Sequence, residues 1–207
     1  MSDNSVEKWL HQLSEGQRNT LFNDLVLSLN SPSDLLSFNS KVSSQIVCLH
    51  DRITFSRRME NILSGHEETL LTAKEDFSQK VHILATSTAT TSSSLQQRKE
   101  RALILQMIYH RDIVDKLIKN RSCHCSDWAW QSQLRFEFKD ELCDIRVGDA
   151  SFKYSFEYQG NEESLVHTTL TDKCFLNLTQ AMRFGFGGNP YGPAGTGNTQ
   201  TAILIFT

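Results

Sequence analysis

The chain has 207 residues, with 21 basic and 24 acidic side chains and a formal net charge of −3. Charges of both signs are spread along the chain, which excludes the basic footprint of a nucleic-acid-binding protein. No apolar run approaches the ~20 residues that cross a bilayer, and the N-terminal region lacks the apolar core of a secretory signal. The 5 cysteines are irregularly spaced, which favours a reducing compartment and predicts a cytoplasmic protein.

The N-terminal region shows the spacing of amphipathic helices. Apolar side chains recur at intervals of three and four over 6–13 and again over 21–29. Between these stripes, Ser14 and Gln17 form a capping-box pattern, which predicts that a helix begins there. The cluster of Asn, Ser, Pro and Ser over 30–33 predicts the turn that ends this region.

Further helices are predicted in the middle of the chain. The apolar stripe from Val42 to Leu84 predicts one or two long helices, interrupted most readily at Gly65. The run 86–94 consists almost entirely of Thr, Ser and Ala, which is typical of a loop or a frayed linker. A strong apolar stripe then predicts a helix over 95–119.

The pattern changes in the last third of the chain. Apolar and polar side chains alternate over 134–138, 143–147 and 152–158, which is typical of half-buried strands. The sequence therefore predicts an α+β fold, in which helices extend to about residue 120 and an antiparallel meander occupies about 130–158.

A predicted helix over 172–182 is followed by a glycine-rich stretch over 185–197. Residues 192–199 match the phosphate-binding P-loop pattern of Gly, four residues, Gly, Lys and Ser or Thr at every position except the lysine. Glycines let backbone N–H groups turn inward around phosphate oxygens without a Cβ clash. On spacing alone, an ordinary glycine turn is an equal alternative. The candidate phosphate-binding residues are Gly192, Pro193, Ala194, Gly195, Thr196, Gly197, Asn198 and Thr199.

The surroundings of this stretch resemble one protein family. The segments Tyr-Ser-Phe-Glu-Tyr-Gln-Gly-Asn (154–161), Leu-Thr-Asp-Lys-Cys (170–174) and Gly-Gly-Asn-Pro-Tyr-Gly (187–192) resemble the start of the first AAA+ module of dynein heavy chains. The segment Trp-Gln-Ser-Gln-Leu-Arg-Phe (130–136) is similar to the end of the dynein linker. Ser-Gln-Ile-Val-Cys-Leu (44–49) and Phe-Glu-Tyr-Gln-Gly-Asn (156–161) are most similar to the cytoplasmic dynein 2, or ciliary transport, class.

The resemblance implies part of an ATP-driven, microtubule-based motor of the intraflagellar transport type. It implies that residues 1–160 are the C-terminal part of the linker, the lever that moves on hydrolysis, and that 161–207 begin the first AAA+ module. Leu165 and Val166 would line the adenine side of the nucleotide, and Thr199 would bind Mg²⁺. The ligands implied are ATP and Mg²⁺. The partners implied are dynein subunits and microtubules, and the location implied is the cytoplasm, cytoskeleton and cilium.

Three departures from the family pattern reduce the activity expected of this chain. Asn198 occupies the lysine position, and it can neither carry a charge nor span the distance that a lysine covers. Thr169 stands where the family has proline. The chain also stops at Thr207, before the later motifs of an AAA+ site and the microtubule-binding tip, as in a truncated gene model, a splice form or a degenerate copy. We therefore expect weak or absent ATP binding and no hydrolysis. We also expect partly exposed apolar side chains at Phe175, Leu178, Phe184 and Phe186.

Other functions remain open from the sequence. The chain could be a non-motor helical protein derived from the dynein linker that binds a partner through its long helices, or a small P-loop enzyme in its own right. The Cys123-His124-Cys125 cluster lacks the spacing of a structural zinc site, and we expect a loop there. Trp128 and Trp130 alternate at the predicted start of a strand, where we expect core packing.

Overall fold

The computed structural model describes residues 4–30, 42–65, 68–91, 93–160, 169–189 and 191–193. Within them, the helices are α1 (Asn4–Asn30), α2 (Ser44–Leu63), α3 (Leu70–Thr90), α4 (Ser94–Lys119), α5 (Trp128–Gln131) and α6 (Thr169–Arg183). The strands are β1 (Arg135–Lys139), β2 (Leu142–Val147) and β3 (Ala150–Lys153). These elements confirm the α+β fold, with long helices first and a small sheet after them. No helix among the described residues has the length and apolar character needed to span a membrane.

Helix α1 is continuous, so the helix start predicted near Ser14 is wrong. No proline and no left-handed residue interrupts the backbone there, and the hydroxyl of Thr20 donates a 2.8 Å hydrogen bond to the carbonyl of Gly16 within the helix. A capping pattern does not begin a helix when the residues before it are already helical. The second half of α1 buries Leu25, whereas the apolar stripe of the first half is exposed, by 59% at Trp9.

Helices α2, α3 and α4 each begin after a hydroxyl cap. The side chains of Ser43, Thr69 and Ser93 accept hydrogen bonds from backbone N–H groups three residues ahead, which satisfies donors that the first turn leaves unpaired. The predicted break at Gly65 is confirmed, and this residue has a φ of +85°. Helix α4 confirms the helix predicted over 95–119.

The loop predicted over 86–94 is largely wrong, because α3 continues to Thr90. The hydroxyls of Thr86 and Thr88 donate to the carbonyls four residues before them, at 3.0 and 2.8 Å. These bonds keep the polar side chains satisfied inside a helix, so a run rich in Thr and Ser remains helical here. Helix α4 then begins at Ser94.

The three strands form an antiparallel meander in the order β1-β2-β3, as predicted. Phe136 pairs with Ile145, and Ile145 pairs in turn with Phe152. The third strand is shorter than predicted. It ends at Lys153, and the backbone turns into the left-handed region at Phe156, where φ is +53°.

Trp128 and Trp130 lie in the short helix α5, so the prediction of a strand start is wrong. Helical geometry gives the two rings different environments: Trp130 is fully buried, whereas Trp128 is 64% exposed. The loop predicted at the cysteine cluster is confirmed. There, Asp127 Oδ2 accepts backbone hydrogen bonds from Cys123 and His124, at 2.8 and 3.0 Å.

Two hydrophobic clusters hold the helices and the sheet together. The first lies where α1, α2, α3 and α4 meet the sheet, and it includes Leu21, Leu25, Ile46, Leu49, Ile53, Leu84, Leu103, Phe136, Cys143 and Phe156. The second surrounds Trp130 between α2, α3 and α4, and it includes Phe55, Met59, Leu63, Phe77, Ile113, Val114 and Leu117. Burial of these side chains supplies the main stabilising contribution to the fold.

A cluster of three buried polar side chains, Asp51, Gln106 and His110, joins α2 to α4 inside the core. Gln106 Nε2 donates to Asp51 Oδ2 at 2.6 Å and to the carbonyl of Cys48 at 2.8 Å. His110 Nδ1 lies 3.3 Å from Asp51 Oδ2, and the imidazole stacks on Phe55 with 3.8 Å between ring centroids. Burial raises the pKa of Asp51 to about 6, although the hydrogen bond from Gln106 opposes this shift.

Candidate nucleotide-binding region

Most of the nucleotide-binding residues predicted from the sequence lie outside the described residues. These are Leu165, Val166, Ala194, Gly195, Thr196, Gly197, Asn198 and Thr199. Gly192 and Pro193 are described and follow Tyr191, which is 98% exposed. The described geometry therefore concerns three parts: residues 154–160, called here the connecting segment, helix α6, and residues 185–189 with 191–193.

Helix α6 packs against β2 and β3 and buries the side chains of Phe175 and Thr179. The hydroxyl of Thr179 donates to the carbonyl of Phe175 at 2.6 Å, which satisfies this polar group within the helix. The expected exposure of Phe175 is wrong, because this side chain is buried. Leu178 is half-buried, and the expected exposure of Phe184 and Phe186 is confirmed.

The turn between β2 and β3 contacts α6 and has a backbone conformation that favours glycine. Gly148 has a φ of +56°, and an added Cβ would lie 2.8 Å from Nε2 of Gln180. This nitrogen donates to the carbonyl of Val147 at 3.0 Å. In the same turn, Asp149 lies 3.3 Å from Arg183. The C-terminal half of α6 is thereby held on the sheet.

The first turn of α6 is held by the helical part of the chain. The hydroxyl of Tyr109 in α4 donates to Asp172 Oδ1 at 2.9 Å. Burial raises the pKa of Asp172, and the bond from Tyr109 opposes this shift. Burial and the neighbouring carboxylate raise the pKa of Tyr109 well above its usual value, so its hydroxyl keeps the proton that it donates. Helix α6 is thus tied to α4 at one end and to the sheet at the other.

A glycine ends α6 and turns the chain toward the glycine-rich stretch. Gly185 has a φ of +74°, and the N–H of Phe186 donates to the carbonyl of Ala181 at 2.9 Å. This is the pattern of a Schellman motif, in which a left-handed residue ends a helix. At Gly188, an added Cβ would lie 2.1 Å from Leu178 Cδ2, so a side chain at this position would require Leu178 to move.

The connecting segment leaves the sheet and passes over the first hydrophobic cluster. The N–H of Tyr154 donates to the carbonyl of Cys143 at 2.8 Å. The ring of Phe156 is buried and lies edge-on to Phe22, with 5.5 Å between centroids, and to Tyr154, with 5.0 Å. Gln45 of α2 also hydrogen bonds to this segment. The segment is therefore fixed to the helices just before the residues predicted to bind nucleotide.

Comparison with known proteins identifies this region. A family model described as the hydrolytic ATP binding site of the dynein motor region matches residues 154–204. The chain is 41% identical to the cytoplasmic dynein 2 heavy chain 1 of Caenorhabditis elegans over 97% of its own length. It is 40% identical to the Homo sapiens protein of that name over 98%, and 36% identical to the Chlamydomonas reinhardtii protein over 97%. This chain belongs to the dynein heavy chain family. It spans about 5% of the length of each of these relatives.

The dynein ATP-site match begins where the antiparallel sheet ends. Residue 154 follows directly on β3, and the matched range contains the connecting segment, α6 and the glycine-rich stretch. Sequence reasoning did not find Gln45 or Tyr109, the residues that hold two of these parts. Both contacts join positions far apart in the chain, and no local pattern marks them. Gln45 and Asp172 lie in two of the segments that resemble dynein heavy chains (44–49 and 170–174). This resemblance was the one signal in the sequence that pointed to them.

Proposed function

We propose that this chain is the part of a dynein-type motor in which the end of the linker meets the first ATP site. In this proposal residues 1–160 are the C-terminal part of the linker, and 161–207 begin the first AAA+ module. The observation that carries the proposal is the match of residues 154–204 to a dynein ATP-binding site. The boundary is supported by the end of β3 at Lys153 and by the packing of the connecting segment on α1 and α2.

The residues of the proposed site fit ATP in part. The glycines would let backbone N–H groups turn toward the phosphates. The hydroxyl of Thr199 is the proposed Mg²⁺ ligand. Leu165 and Val166 would provide the apolar contact proposed for adenine. Bound Mg²⁺ would neutralise phosphate charge. Asn198 does not fit, because it carries no positive charge for the β- and γ-phosphates.

The missing charge sets the expected strength of binding. One charge-assisted hydrogen bond contributes ~1.5–3 kcal/mol, so its loss weakens binding about tenfold to a hundredfold. The same loss removes stabilisation of the charge that develops during phosphoryl transfer. We therefore propose that the chain binds Mg-ATP weakly and does not hydrolyse it.

The wider role is proposed from the relatives, which are named cytoplasmic dynein 2 heavy chains. We propose assembly with dynein subunits, action on microtubules, and a place in the cytoplasm, the cytoskeleton and the cilium. The intraflagellar transport role belongs to the same proposal.

Calorimetric titration with Mg-ATP tests the proposed function. The native chain is compared with Asn198→Lys, and Asn198→Gln is the matched control because it lengthens the side chain without adding charge. We expect weak or undetectable binding by the native chain and by Asn198→Gln, and binding about tenfold to a hundredfold tighter by Asn198→Lys. Micromolar binding by the native chain, or no gain from the lysine, would contradict the proposal.

A further inference from the structure

Gln45, in the first turn of α2, uses both ends of its side-chain amide to hold the connecting segment. Its Nε2 donates to the hydroxyl oxygen of Tyr154 at 2.8 Å and to the carbonyl of Glu157 at 2.8 Å. Its Oε1 accepts from the backbone N–H of Gln159 at 3.3 Å. One side chain thus joins α2 to three positions that lie 109 to 114 residues further along the chain.

The backbone that Gln45 holds has an unfavourable conformation. Phe156 lies between the bonded positions, and its φ of +53° is in the left-handed region, which bulky side chains rarely adopt. Such a conformation persists only where the surroundings hold it. Here the surroundings are the Gln45 amide on the flanking residues and the aromatic ring of Phe22, 5.5 Å from the buried ring of Phe156.

We propose that Gln45 is a positioning residue, which keeps the connecting segment in this left-handed conformation and so fixes where the chain enters the ATP-site region. Without the amide, the backbone around Phe156 relaxes toward common conformations, and α2 no longer defines the position of residues 157–160. The effect on nucleotide binding rests on the proposed function. The effect on the connecting segment does not.

Hydrogen exchange without nucleotide tests the positioning role. In Gln45→Ala we expect the amides of residues 154–160 to exchange about tenfold faster, which corresponds to about 1.4 kcal/mol, while the amides of α2 and α4 keep their native rates. Tyr154→Phe removes one of the three bonds and is expected to give a smaller increase. Gln97→Ala is the matched control, because the amide of Gln97 also donates a hydrogen bond, but to the carbonyl of Thr91, at 2.6 Å, instead of to the segment.

If Gln45 only contributed to the overall stability of the fold, its loss would speed exchange in all the helices alike. Unchanged exchange over 154–160 in Gln45→Ala, or a uniform increase across all helices, would overturn the proposal. A local increase confined to this segment, with native exchange there in Gln97→Ala, would support it.

A titration with Mg-ATP separates this inference from the proposed function. It compares Asn198→Lys with the Gln45→Ala/Asn198→Lys double variant, and we expect at least about threefold weaker binding by the double variant, or about 0.7 kcal/mol. Equal affinities would overturn the link from Gln45 to the ATP site and leave the proposed function standing. If neither variant binds ATP, the proposed function and this link both fail, and the exchange measurement alone decides whether Gln45 positions the segment.

Discussion

Tyr109 in α4 donates a 2.9 Å hydrogen bond to Asp172 in the first turn of α6, although the two residues are 63 positions apart. The bond joins a helix of the region proposed as linker to the helix that leads into the glycine-rich stretch. Because Gln180 near the other end of α6 bonds to the sheet, both ends of this helix are attached to the rest of the fold. Helix α6 is therefore a packed extension of the helices and the sheet.

Removing the hydroxyl of Tyr109 should loosen α6. Tyr109→Phe keeps the ring but leaves Asp172 without this donor, and loss of a hydrogen bond to a charged group costs ~1.5–3 kcal/mol. We expect a lower free energy of unfolding in urea and faster hydrogen exchange over 169–183. Tyr158→Phe is the control, because Tyr158 is 48% exposed and should tolerate the change. Equal behaviour of the two variants would show that the Tyr109 bond contributes nothing.

Asp51 should make stability depend on pH. Its pKa is raised to about 6 by burial from an ordinary value of 3.8, so between these values the folded chain holds a proton that the unfolded chain releases. The free energy of unfolding should therefore fall as pH rises from about 4 to about 6, by up to ~3 kcal/mol from this group. Asp51→Asn removes this pH-dependent contribution to the free energy of unfolding, because the amide does not titrate.

Urea unfolding of the native chain and of Asp51→Asn over this pH range measures the effect. The stability of the variant relative to the native chain should rise with pH and become constant above about pH 7. Asp112→Asn is the control, because the Asp112 side chain is 62% exposed. A stability difference between native chain and Asp51→Asn that is the same at every pH would contradict the raised pKa.

Gly148 and Gly16 should respond oppositely to alanine. Gly148→Ala places a Cβ 2.8 Å from Gln180 Nε2 at a positive φ, and we expect a loss of ~1–3 kcal/mol. Gly16→Ala lies within α1 with no atom within 4 Å of the added Cβ, and we expect a gain of ~0.5–1 kcal/mol. Thermal unfolding of both variants measures these changes. A stabilising Gly148→Ala substitution would mean that the turn does not need its left-handed glycine.

The sequence predicted those elements whose signals are local. The apolar stripes and Gly65 predicted α2 to α4, and alternation predicted β1 and β2. Prediction failed where local signals conflicted with their surroundings. Ser14 carries a capping pattern inside a continuous helix, and the alternation after Lys153 does not show that Phe156 turns the backbone out of the strand. The two tryptophans are two residues apart, which in a strand would place both on one face. In the helix that forms instead, they lie on different faces, so Trp130 is buried and Trp128 is exposed.

The candidate site was predicted in a different way. The glycine-rich stretch is a local pattern, and its interpretation came from the resemblance of several segments in order to dynein heavy chains. The contacts of Gln45 and Tyr109 could not be predicted, since nothing in a single sequence indicates which polar side chains meet across a hundred residues.

The central claim, that the stretch from Gly192 to Thr199 binds the phosphates of ATP, is tested most directly by mapping hydrogen exchange with and without Mg-ATP. Asn198→Lys is used because we expect it to reach saturation, and Asn198→Gln at the same nucleotide concentration is the control. We predict slower exchange in peptides that cover 192–199 and 161–168 in the lysine variant, with little change in α2, α3 and α4. No protection over 192–199 at saturating nucleotide, or protection only in the helices, would contradict the account.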